Sequence, residues 1–252
     1  CTISLSIVTF ANYLIIFKCF MFYIYIMKIL NYIKILPLFG LLIFLFGCTG
    51  KYSPMNSKYI TLDNYIEFNK LSPINDFDLT VCSGYNCNFI TNIKFTNQDI
   101  QEISNMFLTG IRSAEQERLM IAKAIGKMEQ ITGLIVGTNI DNGGVLENKY
   151  IGDITRQDCV DESSTTTNYL KYLVDLELVY YHDIQIPQSR GALIDGRWPH
   201  FTAVIKDKQT SEQFAIDSWY LDNGQPPVVM PLKDWVFDWR KASEIRSKFM
   251  EE

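Results

Sequence analysis

The sequence predicts an α+β domain, helices packed on a small antiparallel sheet, behind a strongly apolar leader. Two helix-period stripes support the helical part: Ile121, Ile125, Met128 and Ile131, and then Val160, Leu170, Leu173, Val174 and Leu178. Two β-rich runs, His200 to Lys206 and Gln213 to Trp219, flank the polar stretch Asp207 to Glu212 and read as a hairpin. Charge separates leader from body, since from Cys1 to Phe46 only Lys18, Lys28 and Lys34 are charged. The 252 residues are 48% hydrophobic and 20% charged with a formal net charge of -5, which suits one globular domain plus an apolar segment. Mild acidity without a Lys/Arg block excludes nucleic-acid binding, which needs clustered positive charge to displace counterions from phosphate.

The leader has the three parts of an export signal. Lys28 and Lys34 form a positive region after Met27, Ile35 to Phe46 an apolar core, and Leu45-Phe46-Gly47-Cys48 a small-residue cleavage site. That tetrapeptide resembles the lipobox of bacterial lipoproteins. The resemblance implies a signal peptide over 27–47, cleavage before Cys48, acylation of Cys48, and attachment to a lipid bilayer facing the periplasm or exterior. An uncleaved anchor helix is the other reading, because the stretch to Phe46 is long enough to span a membrane. Residues 1–26 read as an N-terminal extension, and 48–76, with Pro54, Pro73 and many polar residues, as a tether. The folded domain is expected over 77–252, starting near Phe77.

Export places the body where disulfides persist. Cys82 and Cys87 enclose Ser-Gly-Tyr-Asn, in which Gly84 and Asn86 permit the tight turn of a short bridge. Counting from Met27, with Cys48 taken by lipid, Cys159 is left alone. It is either a reactive thiol or a buried inert one.

Along the body, Phe89, Ile93 and Phe95 share one face of an extended segment, and Thr96 or Asn97 caps a helix to about Leu108. Ser113 and Gln116 form a capping box for the next helix, with Gly133 as its stop and Glu115, Glu117, Arg118 and Glu129 along a solvated face. Gly137 to Gly144 is a turn without the lysine of a phosphate-binding loop. A third helix runs from Cys159 to about Tyr180, although Ser163 to Thr167 forms helix poorly. A loop with Pro187, Gly191 and Pro199 follows, then the hairpin, and after Pro226, Pro227 and Pro231 an amphipathic C-terminal helix.

Strand alternation places His200 and Asp217 on one face of the hairpin, directly opposite or diagonal. Cys159 sits at a helix start, where free N–H groups and the helix dipole favour a thiolate and an imidazolium lowers its pKa below ~8.5. Asp158, Asp161 and Glu162 work against that. His182 is the competing base, with no strand partner expected. Zinc binding is weaker, because no CxxC, HxH or HExxH pair occurs.

The order Cys159, His200, Asp217, in Arg156-Gln-Asp-Cys159, Pro199-His200-Phe-Thr-Ala-Val204 and Ile216-Asp217-Ser-Trp219, resembles the transglutaminase-like branch of the papain-type superfamily. The short Cys-to-His spacing fits that branch better than true papains, with their ~130–150 residues. The resemblance implies a cysteine hydrolase or acyltransferase: Cys159 as nucleophile, His200 as base, Asp217 as orienting acid, and a peptide or protein substrate. Asp158 and Val160 replace the Gly and aromatic that often flank the cysteine. Gln157 is the oxyanion-donor candidate, and Trp198 and Trp219 are candidate groove walls. No cofactor or metal is expected. The alternative is an inactive envelope lipoprotein that uses the same fold for binding or assembly.

Overall fold

A computed structural model describes residues 61–108, 110–191 and 199–237, all within the compact unit Ser53–Glu252. The expected signal peptide, Cys48, residues 1–26 and Trp198 lie outside the described residues. The fold is mixed α+β, with five α-helices and two small antiparallel sheets among the described residues: α1 (Leu62–Phe68), β1 (Leu79–Ser83), β2 (Phe89–Ile93), α2 (Asn97–Asn105), α3 (Ala114–Val136), α4 (Cys159–Asp175), β3 (His182–Arg190), β4 (His200–Asp207), β5 (Gln213–Asp217), β6 (Val228–Pro231) and α5 (Leu232–Phe237). Strands β1 and β2 form one sheet, and β3-β4-β5-β6 the other.

Part of the expected tether is folded. Thr61 caps α1, whose Tyr65 and Ile66 are buried with Leu71 against Cys82, so the packed body begins before Phe77. Thr96 and Asp99 make the capping box of α2. Ser113 caps α3 by accepting the Gln116 N–H, but the Gln116 side chain accepts from Arg112 rather than from Ser113. The helix passes through Gly133 and stops at Gly137, whose φ of 96° supplies the left-handed cap. Gly133 instead permits close packing, since a Cβ there would lie 2.5 Å from Asn223 Oδ1.

Helix α4 is the centre of the molecule. It packs on β1, on β3 and β4, and on α3, so almost every side chain from Asp161 to Leu173 is buried. A helix buried all round normally reads as apolar, whereas the middle of this one is Ser163-Ser-Thr-Thr-Thr-Asn168. Each buried hydroxyl or amide found here has a partner. Ser164 bonds Tyr65 Oη at 3.0 Å, Thr165 accepts the Cys82 N–H at 3.0 Å, and Thr166 meets Ser218 Oγ at 2.8 Å. Asn168 donates to Thr80 O at 3.0 Å. Leaving one such group unpaired would cost ~1–3 kcal/mol, so these pairs fix the neighbours of α4 as well as their distance from it. Tertiary hydrogen bonding thus overrides the poor helix propensity of the run. The last turn ends at Asp175, short of Tyr180.

The predicted hairpin forms as β4 and β5, with Ala203 opposite Ile216 and Val204 opposite Ala215. Two edge strands extend it. Strand β3 occupies what the sequence reads as loop, and its Pro187 lies in a register shift between Gln185 and Gln188, where an edge strand tolerates the missing N–H. Strand β6 follows Pro227 and ends on Pro231. One face of the sheet (Ala203, Ile205, Phe214, Ile216) joins the core made with α3 and α4, and the other (Val204, Ala215, Val228, Met230) packs on Tyr220 and Trp235.

Candidate active site

The first turn of α4 carries the thiol. Asp158 is its N-cap: Oδ1 accepts the Val160 N–H at 3.0 Å and the Asp161 N–H at 2.9 Å, while the Asp161 carboxylate accepts the Asp158 N–H at 3.1 Å. This reciprocal box starts the helix at Cys159. It also uses the N–H groups expected to favour a thiolate. Cys159 is buried, 8% exposed, and its thiol is pushed up to about 12, first by burial and then by the Asp158 charge, with Asp217 adding to both. The expected depressed thiol is therefore corrected: at rest the sulfur is protonated, and Sγ–H donates to the Pro199 carbonyl at 4.0 Å. The Phe201 backbone N–H pulls in the opposite direction. The sulfur thus contacts peptide groups on both sides of His200.

His200 and Asp217 meet as strand alternation predicts, in the diagonal arrangement. His200 Nε2 lies 2.8 Å from Asp217 Oδ2, and the same oxygen accepts the Trp235 indole N–H at 2.6 Å. Because a carboxylate only accepts, this contact puts a ring N–H on Nε2, and among the described residues Nδ1 has no hydrogen-bond partner. Asp217 is 1% exposed. The imidazole sits in an aromatic box, 4.8 Å from Trp219, 5.4 Å from Tyr220 and 5.6 Å from Trp235 between ring centroids. Among the described residues, no hydrogen bond joins the thiol to the imidazole.

A groove of 670 Å³ opens on Cys159, lined by Asn86, Asn148, Leu146, Val160 and Phe201 among others. One part of its wall is the turn closed by the Cys82–Cys87 disulfide, which forms as predicted. Tyr85, Asn86 and Cys87 have φ of 67°, 56° and 50°. Three successive left-handed residues are costly for L-amino acids. Here their N–H groups point at the α4 cap: Tyr85 N and Cys87 N donate to Asp161 at 2.7 and 2.6 Å, and Asn86 N donates to Asp158 Oδ2 at 3.1 Å. The turn and the helix start at Cys159 are therefore one hydrogen-bonded unit. Cys82, Cys87 and Asp161 approach one another closely, but sulfurs joined in a disulfide are not thiolate ligands for a metal.

Several expectations change at this point. Gln157 is buried and its Nε2 donates to the Cys82 carbonyl at 2.8 Å, so its amide holds the disulfide turn rather than facing the groove as an oxyanion donor. Trp219 packs on His200 instead of lining the groove. His182 does have a strand partner: it opens β3 opposite Asp207, and its Nδ1 and Nε2 meet Glu117 at 2.8 Å and Arg118 at 3.1 Å. Those contacts bury it away from the groove.

Glu117 and Glu129, expected on a solvated face, are buried at 0% and 4% exposure. Glu117 accepts the Tyr180 and Tyr181 N–H groups. Glu129 accepts the Gly224 N–H at 3.0 Å and is pushed up to about 7 by burial. Burial, followed by the charge on Glu129, raises Glu162 far above the carboxylate range. No sequence signal marked these acids, because their burial depends on chain segments distant in sequence. Comparison with family models, curated proteins and solved structures returns no match to this chain.

Proposed function

We propose that the chain is a cysteine-dependent hydrolase or acyltransferase acting on a peptide-like amide, built on a transglutaminase-like, papain-type core. Cys159 is the nucleophile, His200 the general base and acid, and Asp217 the orienting carboxylate. One observation carries the reading: a helix-start thiol, open to a groove, touches the peptide groups flanking a histidine whose Nε2 is held by a buried carboxylate.

A thiol near 12 is not a resting thiolate, so the imidazole must act during attack. As sulfur bonds to the carbonyl carbon, its proton passes to His200 Nδ1, and Asp217 stabilises the resulting imidazolium through Nε2–H. When the tetrahedral intermediate collapses, the C–N bond breaks and the Nδ1 proton goes to the departing amine. The thioester is then cleaved by water (hydrolysis) or by an amine (acyl transfer), with His200 again taking the proton. Export and attachment to the envelope membrane through acylated Cys48 complete the proposal. Among the described residues no helix is long and apolar enough to cross a membrane.

The raised thiol favours a second reading, a non-catalytic binding or assembly module on the same fold. Acylation separates the two. With p-nitrophenyl acetate, the intact protein should gain one acetyl group on Cys159 as a hydroxylamine-labile thioester, and His200→Ala should abolish it. An unmodified Cys159 under those conditions rules out the enzyme reading and leaves the binding module.

A further inference from the structure

We infer that the groove at Cys159 selects its acyl donor by charge, taking uncharged or cationic peptide-like groups and excluding anionic ones. This rests on the reading of Cys159 as nucleophile and adds the class of substrate. Among the described residues that line the groove, none is Lys, Arg or His, and the one charged group is Asp158. Among the described residues, two cations lie within two positions of the groove lining, and both are paired. Lys149 pairs with Glu147 at 2.7 Å, and Arg156 donates to Ile140 O at 2.9 Å beside Asp141 and over the Tyr150 ring.

Behind the sulfur the field is negative as well. Asp158 and Asp217 both act on the thiol, and Asp158 stands in the groove lining itself. An anion entering the groove would lose water without meeting a compensating cation among the described lining residues, and would approach these carboxylates. The polar groups that the groove does offer are neutral. Asn86, Asn88 and Asn148 are exposed, line it, and make no side-chain hydrogen bond to another described residue. A carboxamide both donates and accepts, which matches the peptide C=O and N–H of an extended chain. Val160 and Phe201 supply apolar surface beside them.

Three methanethiosulfonates of different charge read this directly: the trimethylammonioethyl and sulfonatoethyl reagents, which are similar in size, and the smaller methyl reagent as the uncharged reference. Each forms a mixed disulfide with Cys159 as the thiol proton passes to His200 and methanesulfinate leaves, so no substrate turnover is needed. Rates are measured on the full chain with its disulfide intact, by peptide mapping of Cys159, and normalised to N-acetylcysteine amide. The cationic-to-anionic ratio should exceed that of the free thiol by about ten-fold, the effect of a unit charge a few ångströms away in a partly aqueous groove. Asp158→Asn, which keeps a capping side chain, should reduce the ratio, and Asn88→Lys on the exposed rim should bring it to or below the free-thiol value. A wild-type ratio equal to that of the free thiol, unmoved by Asn88→Lys, overturns the charge selection while leaving the thioester result to stand. Failure of all three reagents to label Cys159 in the folded protein, with labelling once it is denatured, overturns both, because the sulfur would then lack either access to a reactant or a base to take its proton.

Discussion

Replacing both cysteines of the bridge, Cys82→Ser with Cys87→Ser, tests whether the disulfide holds the groove wall in a conformation it would otherwise leave. A sequence separation of 5 in the loop-closure relation corresponds to roughly 2 kcal/mol. The left-handed run Tyr85-Asn86-Cys87 makes the effect local, since such residues cost ~1–2 kcal/mol each and the bridge acts with three N–H bonds to Asp158 and Asp161 to oppose their relaxation. A loss of roughly 2 kcal/mol in a domain of this size lowers Tm by about 4–8 °C. Thermal unfolding followed by circular dichroism measures that. Amide hydrogen exchange at Tyr85, Asn86 and Cys87 should accelerate more than exchange in α3, because the donors to the α4 cap are released before the core opens. An unchanged Tm together with unchanged protection at those three amides would refute the idea that the bridge restrains this turn.

Two further outcomes follow from buried groups. Glu129, pushed up to about 7, keeps a proton in the fold that the unfolded chain releases near its ordinary value of 4.5, so its contribution is full below that value and is lost as pH rises through 7. The loss amounts to roughly 3 kcal/mol between those limits, and Glu129→Gln should flatten the fall in urea midpoint between pH 5 and pH 8; an unaltered slope contradicts the assignment. Gly143→Ala would set a Cβ 2.3 Å from the Leu221 carbonyl carbon and 2.5 Å from its Cα. Backbone must shift to relieve this, at about 1–3 kcal/mol, and because Leu221 adjoins Tyr220 of the His200 box, acylation of Cys159 should slow as well; wild-type stability and acylation would show that the contact is not tight.

Local signals located the elements whose capping and periodicity agree. Ser113 and the stripe from Ile121 to Ile131 gave α3 its start and its buried side, and the polar run Asp207 to Glu212 gave the hairpin. The misreadings share one cause, which is that a neighbouring segment decides. Gly133 resembles a stop signal, but Asn139 and Asn223 approach it so closely that only glycine fits, and the helix continues one turn to Gly137. Pro187 argues against a strand unless the strand is an edge with a bulge, a fact about sheet order that no local window contains. Glu117 and Glu129 read as solvated because nothing nearby in sequence shows that Tyr180, Tyr181 and Gly224 will supply their donors.

At the candidate site the same division has a chemical consequence. Period-two alternation was enough to place His200 beside Asp217, because both lie on paired strands. The state of the thiol was not legible in that way. A helix start offers free N–H groups in general, but this one is capped by a carboxylate, and the residue that makes the helix begin at Cys159 is the one whose charge opposes a thiolate there. The disulfide turn reinforces this by presenting three N–H groups to Asp158 and Asp161 instead of to the sulfur or a substrate oxygen. Any nucleophilic role for Cys159 therefore depends on the lone pair at His200 Nδ1, and substitution at His200 should cost far more reactivity than removal of one capping N–H donor. This is why the His200→Ala arm of the acylation assay weighs more than the thiol's own titration: a site whose sulfur is neutral at rest can acylate only through a base held in place, and Asp217 with Trp235 holds this one.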